Sequence, residues 1–159
     1  MPDSSQDPIE IRVAVSDDIG EMTRIRNAVK ENPLVRTVIG PEDYRRAMHE
    51  DGRAWVAFVG EEMAGFSCVR TVQGDIWALF MDERYEGRGI GRRLLDEATE
   101  WAFGEGLPRI RLTTGTDTRA ERLYRVWGWT EEAELSPSGE RCFFLDAPSS
   151  DDGESKSET

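Results

Sequence analysis

Gly87, Gly89 and Gly91 alternate with Arg88 and Ile90 and run directly into Arg92 and Arg93. Glycines at that spacing, placed before an apolar pattern of helical period, let several N–H groups without partners in a first helical turn converge on one point, where the helix dipole also favours negative charge. A side chain on Gly89 or Gly91 would obstruct a phosphate there, and the arginines offer it cationic partners. The chemistry this predicts is a pyrophosphate cradle, with Gly87, Arg88, Gly89, Ile90, Gly91 and Arg92 as its residues. Three alternating glycines also fit a plain structural turn. A dinucleotide fold would want them after the first strand, near the chain start, and no Gly-Lys-Ser/Thr ending of the ATP type follows them.

The elements that must position this loop are legible in order. Ile9 to Val15 mostly alternates and reads as a first strand. Ser16-Asp17-Asp18 supplies a cap and first-turn acids for a helix with Ile19, Met22, Ile25 and Val29 on one side, stopped by Asn32-Pro33. Pro41 opens a second short helix running to about His49. Arg53 to Val59 and Met63 to Thr71 are strands joined by Gly60-Glu61-Glu62, and a third begins after Gln73-Gly74, so an antiparallel meander delivers Met81 to the glycine loop.

The helix after the loop carries Leu94, Leu95, Ala98, Trp101 and Ala102, and Gly104, Gly106 and Pro108 end it. Ile110 to Thr113 is the next strand, parallel to the one before the helix. Thr116 or Asp117 caps a helix with Ala120, Leu123, Tyr124 and Trp127, terminated by Gly128. Thr130 to Leu135 and Arg141 to Leu145 form a final hairpin whose edge could pair with a second copy, so a homodimer is one option. The expectation is an α/β (α+β) fold, a mixed and mostly antiparallel sheet of about seven strands flanked by about four helices. Residues 1–8 are expected to be a flexible tail, 9–145 one domain, and 146–159 a disordered acidic tail.

Composition excludes several classes. The formal net charge is −12, and acids outnumber bases even with both ends set aside, which argues against nucleic acid and anionic membranes as partners. The same charge favours a cationic acceptor, and equally serves solubility. No apolar run is long enough for a membrane span and the start has no signal-peptide pattern, so a cytoplasmic protein is expected. Cys68 and Cys142 fall in separate apolar strands, as buried thiols do, and His49 is the one histidine in the chain.

Glu86-Gly87-Arg88-Gly89-Ile90-Gly91, preceded by the strand Ile76 to Met81, resembles the acyl-CoA-binding motif of the GNAT superfamily of N-acyltransferases, Gln/Arg-x-x-Gly-x-Gly/Ala. The stretch from Asp117 to Trp129 resembles the family's later motif, Asn-x-x-Ala-x-x-Leu-Tyr followed by Gly and an aromatic residue. The resemblance spans residues 9–145 and implies acetyl-CoA-dependent N-acetylation of a small-molecule or peptide amine, by direct attack in a ternary complex and without a metal. A non-catalytic acyl-CoA-binding module is the competing expectation. The resemblance implies that Leu79, Phe80 and Met81 offer backbone groups to the cofactor arm, that Asp117 contacts it, and that Tyr124 is the general acid.

An ammonium acceptor must lose a proton, and deprotonating a lysine-like amine of pKa about 10.4 at pH 7 costs about 4 to 5 kcal/mol. Asp75, at the start of the strand into the loop, is the candidate base, with a plain turn role after Gly74 as its alternative. By the resemblance, Asn32, Leu34 and Tyr44 border the acceptor, with core packing as the alternative role for Leu34. Three positions depart from the family pattern: Glu86 where Gln or Arg is preferred, Asp117 where Asn is usual, and Leu112 where some members carry a glutamate base.

Overall fold

The computed structural model describes residues 8–28 and 39–148. The first strand, β1, is Ile9–Val13. Arg12 on it reaches Asp18 through two hydrogen bonds of 2.9 Å, and Asp18 also accepts from the Val15 N–H at 2.8 Å. Expected as a first-turn acid, Asp18 is also a buried anchor between strand and helix. Burial alone would raise its pKa, but the bonds from Arg12 and Val15 more than offset that and hold it below the usual carboxylate range. A 3₁₀ turn over Ser16–Asp18 leads into α1, Ile19–Ala28, which buries Ile19, Met22 and Ile25 at helical spacing. Val29, Asn32, Pro33 and Leu34 lie outside the described residues. Helix α2, Pro41–Arg45, starts on proline as expected and continues as a π-helical turn over Arg46–Glu50.

Strands β2 (Gly52–Val59), β3 (Glu62–Arg70) and β4 (Asp75–Met81) form the antiparallel meander. Then come α3 (Ile90–Gly104), β5 (Arg109–Thr114), α4 (Arg119–Val126), β6 (Thr130–Glu131) and β7 (Arg141–Asp146). Together the strands make one seven-stranded sheet in the order β1-β2-β3-β4-β5-β7-β6, antiparallel except for the β4–β5 pair. The fold class expected from sequence is the one observed.

Two expectations at element ends are corrected. The strand expected over Thr130 to Leu135 is cut to Thr130–Glu131. It is the outer edge, with β7 as its sole neighbour, and beyond Glu132 the chain turns on itself through Ser136–Glu140 and Gly139–Ser136 bonds around Pro137, which has no N–H for a ladder. The cap of α4 is Thr118, whose hydroxyl accepts from the Glu121 N–H at 3.1 Å, rather than Thr116 or Asp117.

A layer of helix covers each sheet face. Ile90, Leu94, Leu95 and Ala98 of α3 pack on one face with Val69, Ile110 and Phe143. Met22, Ile25 and Tyr44 pack on the other with Val56, Phe66 and Cys68. Each fully buried aliphatic chain contributes about 1.5–3 kcal/mol, so these two layers fix the sheet rigidly between the helices. No helix among the described residues is long and apolar enough to cross a membrane.

The middle of the sheet departs from regularity in two ways that matter for function. Strands β4 and β5 run parallel yet pair at a single place, Asp75 with Arg111, and separate beyond it. In β4 itself, Val69 pairs with Ile76 and Cys68 with Ala78, leaving Trp77 as the extra residue of a β-bulge. The bulge resets the alternation, so that Leu79 and Met81 pack toward α3 while Trp77 and Phe80 pack toward α1 and α2. One short strand thereby presents side chains to both layers beside the gap.

Candidate active site

A cavity of about 510 Å³ fills the gap between β4 and β5, within the range of ligand sites. Residues of β4 from Ile76 to Met81 form one wall, and Leu112 to Thr114 of β5 form the opposite one. The glycine loop with the start of α3 closes one end, and α4 with Tyr124 closes the side.

The loop has the geometry its sequence predicts. Gly89 sits at φ +81° as the residue capping α3, and Gly87 at φ +83°, a region where a side chain is strained. Gly91 has an ordinary φ, and a Cβ there would meet nothing closer than the Met81 side chain at 3.6 Å, so protein packing gives no reason for glycine at this position. Its Cβ would fill the cradle instead. Among the described residues, the N–H groups of Gly87 to Arg92 find no acceptor, leaving a row of donors at the positive end of a fifteen-residue helix. Arg92 lies over the Trp127 ring at 5.7 Å and pairs with Asp96 at 3.5 Å. A doubly charged, multi-oxygen anion suits this end of the cavity.

Glu86, an acid where the phosphate reading wants none, is tied across the mouth to Arg119 at 3.4 Å. Its charge is thus met by the first residue of α4. Arg88 lies over the Tyr85 ring at 5.1 Å and does not itself line the cavity.

Tyr124 lines the cavity from α4 and is 6% exposed. Trp127, Trp129 and Phe143 hold its ring by edge and tilted contacts at 5.7–5.9 Å between centroids. Among the described residues its hydroxyl makes no hydrogen bond, and burial pushes the phenol pKa up. A neutral phenol so fixed can donate a proton or hydrogen bond to a developing anion in the cavity.

Nine residues predicted for the site line this one cavity: Leu79, Phe80, Met81, Gly87, Gly89, Ile90, Gly91 and Arg92, with Tyr124. Asp75 and Asp117 are not brought to it. Asp75 sits where β4 and β5 still pair, held by Arg70 through bonds of 2.9 and 2.6 Å. Asp117 is exposed, with φ +61°, and its backbone N–H donates to Glu121 at 2.8 Å. Tyr44 is fully buried behind Trp77, 5.4 Å between ring centroids, and packs rather than borders the acceptor.

Sequence reasoning missed Arg26, Trp77, Thr114 and Glu140, which also line the cavity. Trp77 had a signal: a second large aromatic three positions before Phe80 breaks the strand's alternation unless a bulge intervenes. The others come from distant segments, and nothing local marks them.

The model of the Acetyltransferase (GNAT) family matches residues 22–129. The chain belongs to this family. Among curated relatives, mycothiol acetyltransferase of Beutenbergia cavernae is 38% identical over 61 residues, a match covering 38% of this chain and 20% of that one. The match thus takes in about a fifth of that relative's length. Among solved structures, PaiA N-acetyltransferase from Thermoplasma acidophilum, crystallised with coenzyme A, superposes with a TM-score of 0.71 at 16% identity, over 88% of this chain and 99% of that one. The ribosomal-protein-S18-alanine N-acetyltransferase of Escherichia coli gives 0.66 at 16% identity, over 86% and 91%. At such identities the likeness is one of fold.

Proposed function

We propose that the protein transfers an acetyl group from acetyl-CoA to the nitrogen of an amine, by direct attack in a ternary complex, and does so in the cytoplasm. The observation that carries this reading is the meeting of a donor-lined cradle and a buried, neutral Tyr124 in one cavity. A fold relative crystallised with coenzyme A supports the choice of cofactor.

The residues present fit that cofactor. Free N–H groups from Gly87 to Arg92 suit its pyrophosphate, and the β4 edge, unpaired beyond Asp75, suits its amide-bearing arm. Bound there, acetyl-CoA supplies a thioester, an acetyl group with a good leaving thiolate. This chain's own contribution is binding, orientation and proton handling. Backbone groups of Leu79 to Met81 orient the acyl arm along β4, while the opposite face of that strand carries the acceptor. Tyr124 donates to the departing sulfur. Of the two carboxylates among the described lining residues, Glu86 is engaged by Arg119, and Glu140, which accepts only a neutral hydrogen bond from the Ser138 hydroxyl at 3.1 Å, takes the amine proton directly or through one water. Asp75 could serve as base only by leaving Arg70.

Neither thiol competes as a nucleophile in this reading. Cys68 is fully buried with its pKa pushed up to about 12, and Cys142 lies off the cavity lining.

The test is release of free CoA thiol from acetyl-CoA with a panel of amines, run beside direct acetyl-CoA binding. Turnover with at least one amine, lost when Gly89 is replaced by Val and cut by Tyr124→Phe, is the expected result. Binding that depends on Gly89 without turnover of any amine would replace this reading with a non-catalytic acyl-CoA-binding module.

A further inference from the structure

Resting on that reading, we propose that the acceptor amine is a small molecule that also carries a carboxylate, and that Arg26 is the residue that recognises it. Three arginines line the cavity: Arg92 pairs with Asp96, Arg119 with Glu86, and Arg26, among the described residues, makes no ion pair. A half-buried guanidinium with no ion pair among the described residues is uncommon in a chain with 32 acids against 20 bases.

Its position assigns it to the acceptor rather than to the phosphates. Arg26 is in the last turn of α1, on the side of the sheet opposite α3, with its guanidinium 5.8 Å from the Phe80 ring centre. The bulge at Trp77 turns Trp77 and Phe80 to this same side, and Ile39 completes the wall. Two aromatic faces, one aliphatic chain and one fork of N–H donors make a site for an amine with an apolar body and a planar anion. The cavity of about 510 Å³ is shared with the acyl arm, which leaves room for something the size of an amino acid.

The acidity of the whole chain does not oppose this. Charges on the outer surface are screened beyond about 8 Å at physiological salt, whereas a guanidinium on the cavity wall acts at contact. The cationic acceptor suggested by net charge is therefore the poorer fit to the site itself. Glu140 lines the same cavity and supplies a carboxylate for the amine end of such a zwitterion.

The experiment is CoA-thiol release with matched acceptors, amino acids (phenylalanine, methionine, glycine) each against its own carboxamide, with spermidine alongside, for wild type, Arg26→Gln and Arg26→Lys. Wild type should prefer acid over carboxamide by about 10-fold to 100-fold in kcat/KM, the scale of a hydrogen bond to a charged group. Arg26→Gln should erase that ratio through the acceptor KM, leave the acetyl-CoA KM within about twofold, and be partly rescued by Arg26→Lys. Carboxamides or spermidine turned over as well as the acids, or an acid preference that survives Arg26→Gln, would overturn the inference and leave N-acetyl transfer standing. A raised acetyl-CoA KM in Arg26→Gln would also overturn it, by assigning Arg26 to the cofactor. Turnover of no amine would bring down the N-acetyltransfer reading and this inference together.

Discussion

The backbone N–H of Asp117 donates to one oxygen of the Glu121 carboxylate at 2.8 Å, and the other oxygen accepts from Arg141 at 2.9 Å. A single buried carboxylate thus ties the start of α4 both to the turn before it and to β7 across the sheet. Arg125 adds a contact at 3.1 Å one turn on. Since Tyr124 is on the same helix, the orientation of the proposed acid depends on this joint.

Glu121 should therefore contribute stability with a defined pH signature. Burial pushes its pKa up, but the hydrogen bonds from Arg141 and the Asp117 N–H outweigh that, so the folded-state value lies below the ordinary 4.5. A carboxylate whose pKa is lower folded than unfolded stabilises fully above 4.5, and loses that contribution as pH falls from there through the folded value. Glu121→Ala should cost about 2 to 3 kcal/mol at pH 7, the scale of hydrogen bonds to a charged group left unmade. Urea denaturation across pH 7 to 3 checks this: the gap between wild type and variant should narrow below pH 4.5. A gap independent of pH would assign the loss to packing alone.

Asp117 explains a departure from the family pattern. It sits at φ +61°, a conformation that Asn and Asp tolerate and β-branched residues do not, and its exposed side chain is not at the cavity. Asp117→Asn should leave stability within about 0.5 kcal/mol and the acetyl-CoA KM unchanged, whereas Asp117→Val should cost about 1–2 kcal/mol. The urea midpoint at constant m-value is the measurement. A large acetyl-CoA KM effect in Asp117→Asn would instead give the side chain a role in binding.

Most of the proposed cofactor half of the cavity could be read in the sequence because it is local. Gly87 to Arg92 are consecutive, and the row of N–H donors proposed to hold phosphate belongs to their own backbone, which spacing alone specifies. Leu79 to Met81 lie on the strand that leads into that loop. The acceptor half could not be read this way. Arg26, Trp77 and Glu140 meet through the packing of α1, β4 and the β6–β7 turn, and whether an arginine is paired is settled by neighbours remote in the chain. Asp75 shows the converse case: its position along β4 suited a base, but Arg70 is its cross-strand partner, and a bidentate pair holds it there. Helix and strand identities followed from period. The strand most overestimated, after Thr130, lies at an edge, where pairing partners rather than side-chain pattern set the length.

The chemistry of Tyr124 predicts a flat alkaline limb. Because burial raises its pKa above the ordinary 10.0, the phenol stays protonated through neutral and mildly alkaline pH and remains a donor there. Tyr124→Phe should lower kcat about 10² to 10⁴-fold, the usual range for a positioned acid, with acetyl-CoA binding within about twofold. In wild type, kcat should not decline between pH 7 and 9.5 on account of this group. An alkaline fall near pH 8 that disappears in Tyr124→Phe would mean that the hydroxyl titrates far lower than its burial dictates.

The two thiols give the test of direct transfer that is independent of the acceptor. Cys68 is 0% exposed in β3, and with its pKa pushed up to about 12 only about one molecule in 10⁴ carries the thiolate at pH 8. Burial also raises the pKa of Cys142, which lies in β7 away from the cavity lining. A thiol reagent should therefore leave Cys68 unmodified in the native protein and label it on unfolding, with mass spectrometry locating the label. The same burial predicts that Cys68→Ser costs about 1–3 kcal/mol by leaving a hydroxyl in an apolar layer, while Cys68→Ala is milder. If acetyl passes straight to the amine, the Cys68→Ala, Cys142→Ala double variant keeps its kcat within about threefold at a temperature where it is folded, and no acetylated enzyme accumulates when the amine is withheld. An acetyl group trapped on either sulfur, together with loss of turnover in the double variant, would require a covalent enzyme intermediate and a different use of the cavity.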